Sequence, residues 1–220
     1  TSEAIDSVRS ITNHSTGRLG KIITETLLAA GHEVCLITTK RAVKPEAHPN
    51  LSILEINNTK DLLLEMQERI KDYQVLIHSM AVSDYTPVYM TGLEEVQASS
   101  NLEEFLNKQN HQAKISSTDD VQVLFLKKTP KIISLVKEWN PAIHLIGFKL
   151  LVDVSEDHLV DIARKSLIKN QADLIIANDL TQISADQHRA IFVEKEHLQT
   201  VKTKEEIAKL LLEKIQAYHS

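Results

Sequence analysis

Short runs rich in Val and Ile alternate along the chain with longer stretches whose apolar residues recur at helical spacing. The runs Glu33–Thr39, Leu51–Ile56, Gln74–Met80, Val121–Leu126, Ile143–Phe148, Asp173–Ala177 and Ala190–Glu194 predict strands. Several are almost continuously apolar, as a strand must be when helices cover both faces of a parallel sheet. Helices are expected at Thr16–Ala30, Asp61–Lys71, Pro130–Trp139, Glu156–Lys169 and Lys204–Ala217. In the first, Leu19, Ile22, Ile23, Leu27 and Ala30 share one face, and Gly31 suits the C-terminal cap. Pro130 fits a first helical turn, and Ser155 and Thr203 are N-cap candidates. This alternation predicts an α/β fold: an open, doubly wound, Rossmann-like and mostly parallel sheet with helices on both faces. One domain over 1–220 accounts for it.

Two places break the rhythm. Asp84–Ser117 carries Pro87, Gly92, Ser99 and Ser100 and no convincing strand, so it reads as a lid, a binding loop or a dimerisation segment. At the other break, the first helix has no strand before it, although a doubly wound sheet opens on one. A first strand and its turn are expected upstream of Thr1.

Composition narrows the class. Lys and Arg total 25 against 30 Asp and Glu, a formal charge of −5, which argues against wholesale nucleic-acid binding. No apolar run approaches a bilayer span, no signal-peptide pattern opens the chain, and the single Cys35 cannot form an internal disulfide. The ten His have no metal-ligand spacing. A soluble cytoplasmic protein with no metal-ligating residues is expected.

Four segments carry candidate chemistry. Ile5–Gly20 crowds polar groups before a helix whose first turns hold Gly17 and Gly20, which suits an anion at free backbone N–H groups but also close helix–sheet packing. Ser79–Pro87 lies at the end of an apolar strand, where open α/β sheets hold ligands; a lone Asp84 there also suits a turn cap. Lysines recur at Lys114, Lys131, Lys165 and Lys169, the last two four apart, as a polyphosphate site or as solvated surface. Ala177-Asn178-Asp179 is a second strand end with polar groups.

In order along the chain, Ile5-Asp6-x-Val8-Arg9-x-Ile11-Thr12-Asn13-x-Ser15-x-Gly17, Ala81-Val82-x-Asp84-Tyr85, Lys114-Ile115, Pro130-x-Ile132, Gly147-Phe148, Lys165-x-x-x-Lys169 and Ala177-Asn178-Asp179 resemble the phosphopantothenate–cysteine ligases in their stand-alone bacterial form. The resemblance implies that phosphopantothenate attacks a nucleoside triphosphate to give an acyl-nucleotide and pyrophosphate, after which cysteine displaces the nucleotide. It implies CTP as co-substrate, with ATP as the alternative, together with Mg²⁺ and a homodimer. By position in the family motifs, Asn13 and Lys114 are catalytic, and Arg9, Asn13, Ala81 and Asn178 bind substrate, Asn178 as a residue the neighbouring chain supplies. Ser79, Met80 and Asp84 hold base and ribose. Pro130, Lys131, Ile132 and Ile133 hold phosphates, Phe148 lines the apolar side, and Lys114, Lys165 and Lys169 meet the triphosphate.

The match has departures. Fused bacterial members carry Lys-Ile-Lys-Lys where this chain has Lys114-Ile115-Ser116-Ser117, and Pro-Asp-Ile where it has Pro130-Lys131-Ile132. Both resemble the ATP-using eukaryotic enzymes. The usual Glu-Thr is absent from Lys149–Val152, and Asn170–Asp173 is one residue longer than the family pattern. A nicotinamide-binding reductase would need a G-x-G-x-x-G fingerprint that is not there. A non-catalytic binding subunit would suit Ser116 and Ser117.

Overall fold

The computed structural model describes residues 1–218. Its strands are β1 Ser2–Ala4, β2 Ser10–Thr12, β3 Val34–Thr39, β4 Leu51–Ile56, β5 Val75–His78, β6 Tyr85–Gly92, β7 Gln122–Lys128, β8 His144–Leu151, β9 Leu174–Asp179, β10 Ala190–Val193 and β11 Leu198–Val201. Its helices are α1 Arg18–Ala29, α2 Thr59–Arg69, α3 Leu93–Ala98, α4 Val136–Trp139, α5 Glu156–Asn170 and α6 Lys204–Tyr218. The main sheet runs β11-β10-β9-β8-β5. Strands β5, β8 and β9 are parallel, and β10 and β11 close that edge antiparallel. Every residue of β9 is buried, which explains its unbroken apolar run up to Ala177.

Two apolar layers flank this sheet. Leu62, Met66, Val136, Leu159 and Ala163 from α2, α4 and α5 form one, with Trp139 at its margin. Ile23, Leu27, Ile207, Leu211 and Ile215 from α1 and α6 form the other. The parallel pair β3–β4 is a separate ladder. Yet β3 contributes Ile37 to the first layer and Val34 to the second, just as β5 contributes Leu76 and then Val75 and Ile77. Both ladders therefore lie between the same two layers, and β3 and β5 each end one.

The expected strands and helices are in place, with four corrections. The expected helix Pro130–Trp139 is a 3-10 turn, Ile132–Leu135, followed by the short α4, because adjacent Ile132 and Ile133 both point inward. The 84–117 segment opens with a real strand. β6 pairs antiparallel with β7, with a register shift at Pro87, whose missing N–H breaks the strand pattern in sequence. This hairpin has its own small core, a stack of Tyr89, Phe105 and Phe125 with ring centroids 6.0 and 4.8 Å apart. A short strand, β11, follows β10 at Leu198–Val201, where its three exposed residues hide any apolar signal. Finally, the three-residue strands β1 and β2 do precede α1, but they pair with each other. No strand of the main sheet precedes α1 among the described residues.

Candidate active site

The β1–β2 hairpin lies across the carboxyl ends of the parallel strands. Ser2 N donates to Asn57 O beyond β4 at 2.8 Å, and Thr1 N donates to Ala81 O beyond β5 at 2.7 Å. The Thr1 hydroxyl accepts from Ser83 N, and buried Glu3 accepts from the amide and hydroxyl of Thr59 at the start of α2. Asn13, just past β2, is carried to the same place. Its Nδ2 donates to Ala81 O at 2.9 Å, while its Oδ1 accepts from Ser15 N at 3.0 Å, which fixes the amide's orientation. Next comes Gly17, with φ 80°, at the start of α1. A Cβ there would stand 2.7 Å from the Ala42 Cβ, so glycine is needed both for its backbone angle and for the close approach of the loop after β3.

The Ile5–Arg9 loop is built on Asp6. Its Oδ1 accepts from Val8 N and Arg9 N at 2.9 and 2.7 Å. Its Oδ2 accepts from Arg9 Nε and Nη2 at 3.0 and 2.6 Å and from Ile115 N at 3.1 Å. The Arg9 guanidinium, with these amides, holds the Asp6 carboxyl well below the usual carboxylate range. Arg9 Nη2 also donates to Ile115 O at 3.0 Å, and Ser7 N donates to Ala113 O at 2.9 Å. Exposed Lys114 sits between these tied positions. Asp6 stands in the Ile5–Gly17 motif three residues before Arg9, but the sequence assigned it no role.

Ser79 and Met80 continue β5, and Met80 packs against the α2–α5 layer. Asp84 Oδ1 pairs with Lys131 Nζ at 2.9 Å, both side chains 63% exposed, while Thr129 ties the two loops by bonding Ser83 O and Asp84 O. Beneath them His78 ends β5. Burial, and then the charge of Lys131, push its imidazole down to about 4, so it is neutral near pH 7. A His in an otherwise apolar run was the signal for it. Ile132 and Ile133 anchor the turn after Pro130 in the core. Gly147, opposite His78 in the β5–β8 ladder, leaves room for Ile133, whose Cδ1 would be 2.8 Å from an added Cβ.

Other expected residues lie elsewhere. Phe148 looks onto the α1–α6 layer, on the opposite face of the sheet from Ile132 and Ile133. Lys165 pairs with Asp161 on the solvent face of α5, and Lys169 is exposed in its last turn. The face that α5 turns toward the 132–135 turn presents Ser166 and Asn170 instead. Ser134 Oγ donates to Asn170 Oδ1 at 2.9 Å, and Asn170 Nδ2 donates to Ser166 O and Oγ. Their helical spacing from Leu159 and Ala163 was the available signal. Asn178 is buried within its own chain at the end of β9, donating to Arg189 O at 3.1 Å, with β8 lying between it and β5. A cleft of about 190 Å³ lies at the β6–β7 hairpin, lined by Pro87–Met90 of β6, by Gln109, Asn110 and Leu124, and by Ile5.

Among the described residues no three carboxylate, imidazole or thiol groups converge to cage a cation, and no helix is long and apolar enough to cross a membrane.

Asn13, Asp84 and Lys131 stand beyond the carboxyl end of β5 in a Rossmann-like α/β protein, while Arg9 and Lys114 stand where the Asp6 loop meets the 113–115 segment. Residues 1–218 match the family model described as DNA/pantothenate metabolism flavoprotein C-terminal domain, and the chain belongs to that family. It is 33% identical over 98% of its length to the coenzyme A biosynthesis bifunctional protein CoaBC of Thermococcus kodakarensis, covering 49% of that protein. It is 25% identical to the phosphopantothenate–cysteine ligase of Homo sapiens, over 79% of this chain and 67% of the human one. A crystal structure of a DNA/pantothenate metabolism flavoprotein from Streptococcus pneumoniae superposes with a TM-score of 0.96 at 91% identity, over 100% of this chain and 96% of that one. The chain spans about half the length of the bifunctional relatives it matches.

Proposed function

We propose that the chain joins 4′-phosphopantothenate to L-cysteine through an acyl-nucleotide, as a cytoplasmic step of coenzyme A assembly. The observation that supports this is the hydrogen bond from Asn13 to Ala81 O beyond β5, together with the tie between Arg9 and Ile115, the residue after Lys114. In the first step a substrate carboxylate oxygen attacks the α-phosphorus. The bond to the bridging oxygen breaks, and its electron pair leaves on pyrophosphate. Lys114 meets the charge that builds on the phosphoryl oxygens, and Arg9 holds the acid substrate. In the second step the cysteine amine attacks the acyl carbon, the acyl–oxygen bond breaks, the nucleoside monophosphate leaves and the amine proton passes to water. The Asn13 amide, oriented by Ser15, gives up its long 3.4 Å bond to Thr1 O and turns that donor toward the acyl oxygen.

Lys131, released from Asp84, faces the phosphates, and the Asp84 carboxylate accepts from the ribose. CTP is the nucleotide we assign, and Mg²⁺ comes with it as counter-ion of the triphosphate, since the described residues offer no cage of their own. The same proposal includes a homodimer formed through the β6–β7 hairpin, where Tyr85, Val121 and Leu126 are exposed.

The test is pyrophosphate release with Mg²⁺, phosphopantothenate, and CTP or ATP in parallel arms. Release that requires phosphopantothenate, followed by cysteine-dependent product, is expected, and CTP should be the faster arm. No release with either nucleotide from a folded sample overturns the ligase assignment. A faster ATP arm overturns the nucleotide assignment alone.

A further inference from the structure

We infer that Asp6 is a positioning residue that holds the Arg9 loop and the Lys114 segment in one fixed arrangement. This rests on the ligase assignment and adds to it a side chain that touches no substrate. The Asp6 side chain has no exposed surface, so it does not meet a ligand directly. Its five hydrogen bonds divide between its own turn, Val8–Arg9, and the amide of Ile115, 109 positions further along the chain from Asp6. Arg9 is engaged on both sides as well, since its Nη2 bridges Asp6 Oδ2 and Ile115 O. The result is a closed ring of contacts, carboxylate to guanidinium to carbonyl and Ile115 amide back to carboxylate, with Lys114 as the next residue.

A buried carboxylate facing only donors cannot be replaced by its amide without loss. In Asp6→Asn an NH₂ group set at Oδ2 faces three N–H donors, and the ring opens although the volume is unchanged. If the NH₂ takes the Oδ1 side instead, it faces the Val8 and Arg9 amides. Asp6→Ser makes a different cut. A hydroxyl still serves the Val8 and Arg9 amides as a turn acceptor but is too short for the guanidinium and Ile115.

The experiment measures phosphopantothenate-dependent pyrophosphate release and amide hydrogen exchange for both variants, each alone and combined with Lys114→Ala. Misplacing a reacting group by about 1 Å costs on the order of 10²-fold. Both variants should lose about that factor in kcat/KM for phosphopantothenate. In the Lys114→Ala background the further loss should stay below about threefold, because groups acting as one unit are not additive. Exchange at Ser7 and Ile115 should quicken at least tenfold while β8 and β9 remain protected.

Equal losses in both backgrounds would assign Asp6 an independent role and overturn the inference, as would unchanged exchange at Ile115. If Asp6→Asn does not fold, Asp6→Ser alone decides by the same criteria. If the parent protein releases no pyrophosphate, the ligase assignment falls, and the exchange data alone decide whether Asp6 ties the two segments.

Discussion

Asp6 and Asp179 use the same chemistry at two different strand ends. Both are buried carboxylates beneath a backbone turn, both accept several amides, and both are held well below the usual carboxylate range by those donors. Asp179 receives only neutral donors: the amides of Asp153 and Val154 at 3.1 and 2.9 Å, and the amide and hydroxyl of Thr181. The strands it joins are already paired, since Leu151 faces Asp179 in the β8–β9 ladder. Asp6 instead receives a guanidinium, and the segments it joins belong to no common ladder. A carboxylate that repeats a connection the sheet already makes serves the fold, whereas one that supplies the connection serves the site.

The comparison breaks most directly at the two aspartates themselves. Asp6→Asn should cost on the order of 10² in turnover per folded molecule and lower the melting temperature as well. Asp179→Asn should lower the melting temperature by several degrees with turnover per folded molecule nearly intact. Matching losses of turnover in both variants, read beside their melting curves, would erase the distinction.

Acid sharpens the contrast next. A carboxylate whose folded value is depressed stabilises the fold above its ordinary value of 3.8, and that contribution is lost only as the pH falls below it. The histidines act earlier. His78 and His188 titrate at about 4 when folded and 6.5 when unfolded, so their contribution is full above 6.5 and is lost as the pH falls toward 4. His78 accounts for up to about 2 kcal/mol of lost stability at pH 5, and the half-buried His188, screened by solvent, for less. His78→Gln should flatten the stability profile between pH 7 and 5 in urea melts, and an unchanged slope would contradict the burial of this imidazole.

The smallest effects separate the two faces of α5. Asn170→Ala removes the amide that links Ser134 to Ser166 and should destabilise by about 1–2 kcal/mol. Lys165→Ala breaks only an exposed pair with Asp161 and should stay within about 0.5 kcal/mol. A sharp loss of nucleotide binding in Lys165→Ala would return that lysine to the site.

Legibility in the sequence follows the same division. Strands buried on both faces, such as β9 and β10, announce themselves as apolar runs because every position must face a layer. β6 does not, because its cover is three aromatic rings and Pro87 interrupts its pattern. Among candidate site residues, Asn13 and Asp84 stand in motifs that the fold brings to the end of β5. Lys165, set at the triphosphate by the resemblance, pairs with Asp161 on the solvent face of α5, a direction its four-residue spacing from Lys169 does not state. Asp6 went unassigned because its partner, Ile115, is remote in sequence and contributes only backbone.

The chain's one tryptophan has an optical consequence. Trp139 ends α4 and packs against the layer beneath α2 and α5, whereas the hairpin core is made of Tyr89, Phe105 and Phe125. Indole emission therefore reports on the large core and is silent about the hairpin. A fluorescence melt and an exchange profile of β6 and β7 are two separate clocks within one molecule, and any gap between them times the hairpin's release from the body that carries the site.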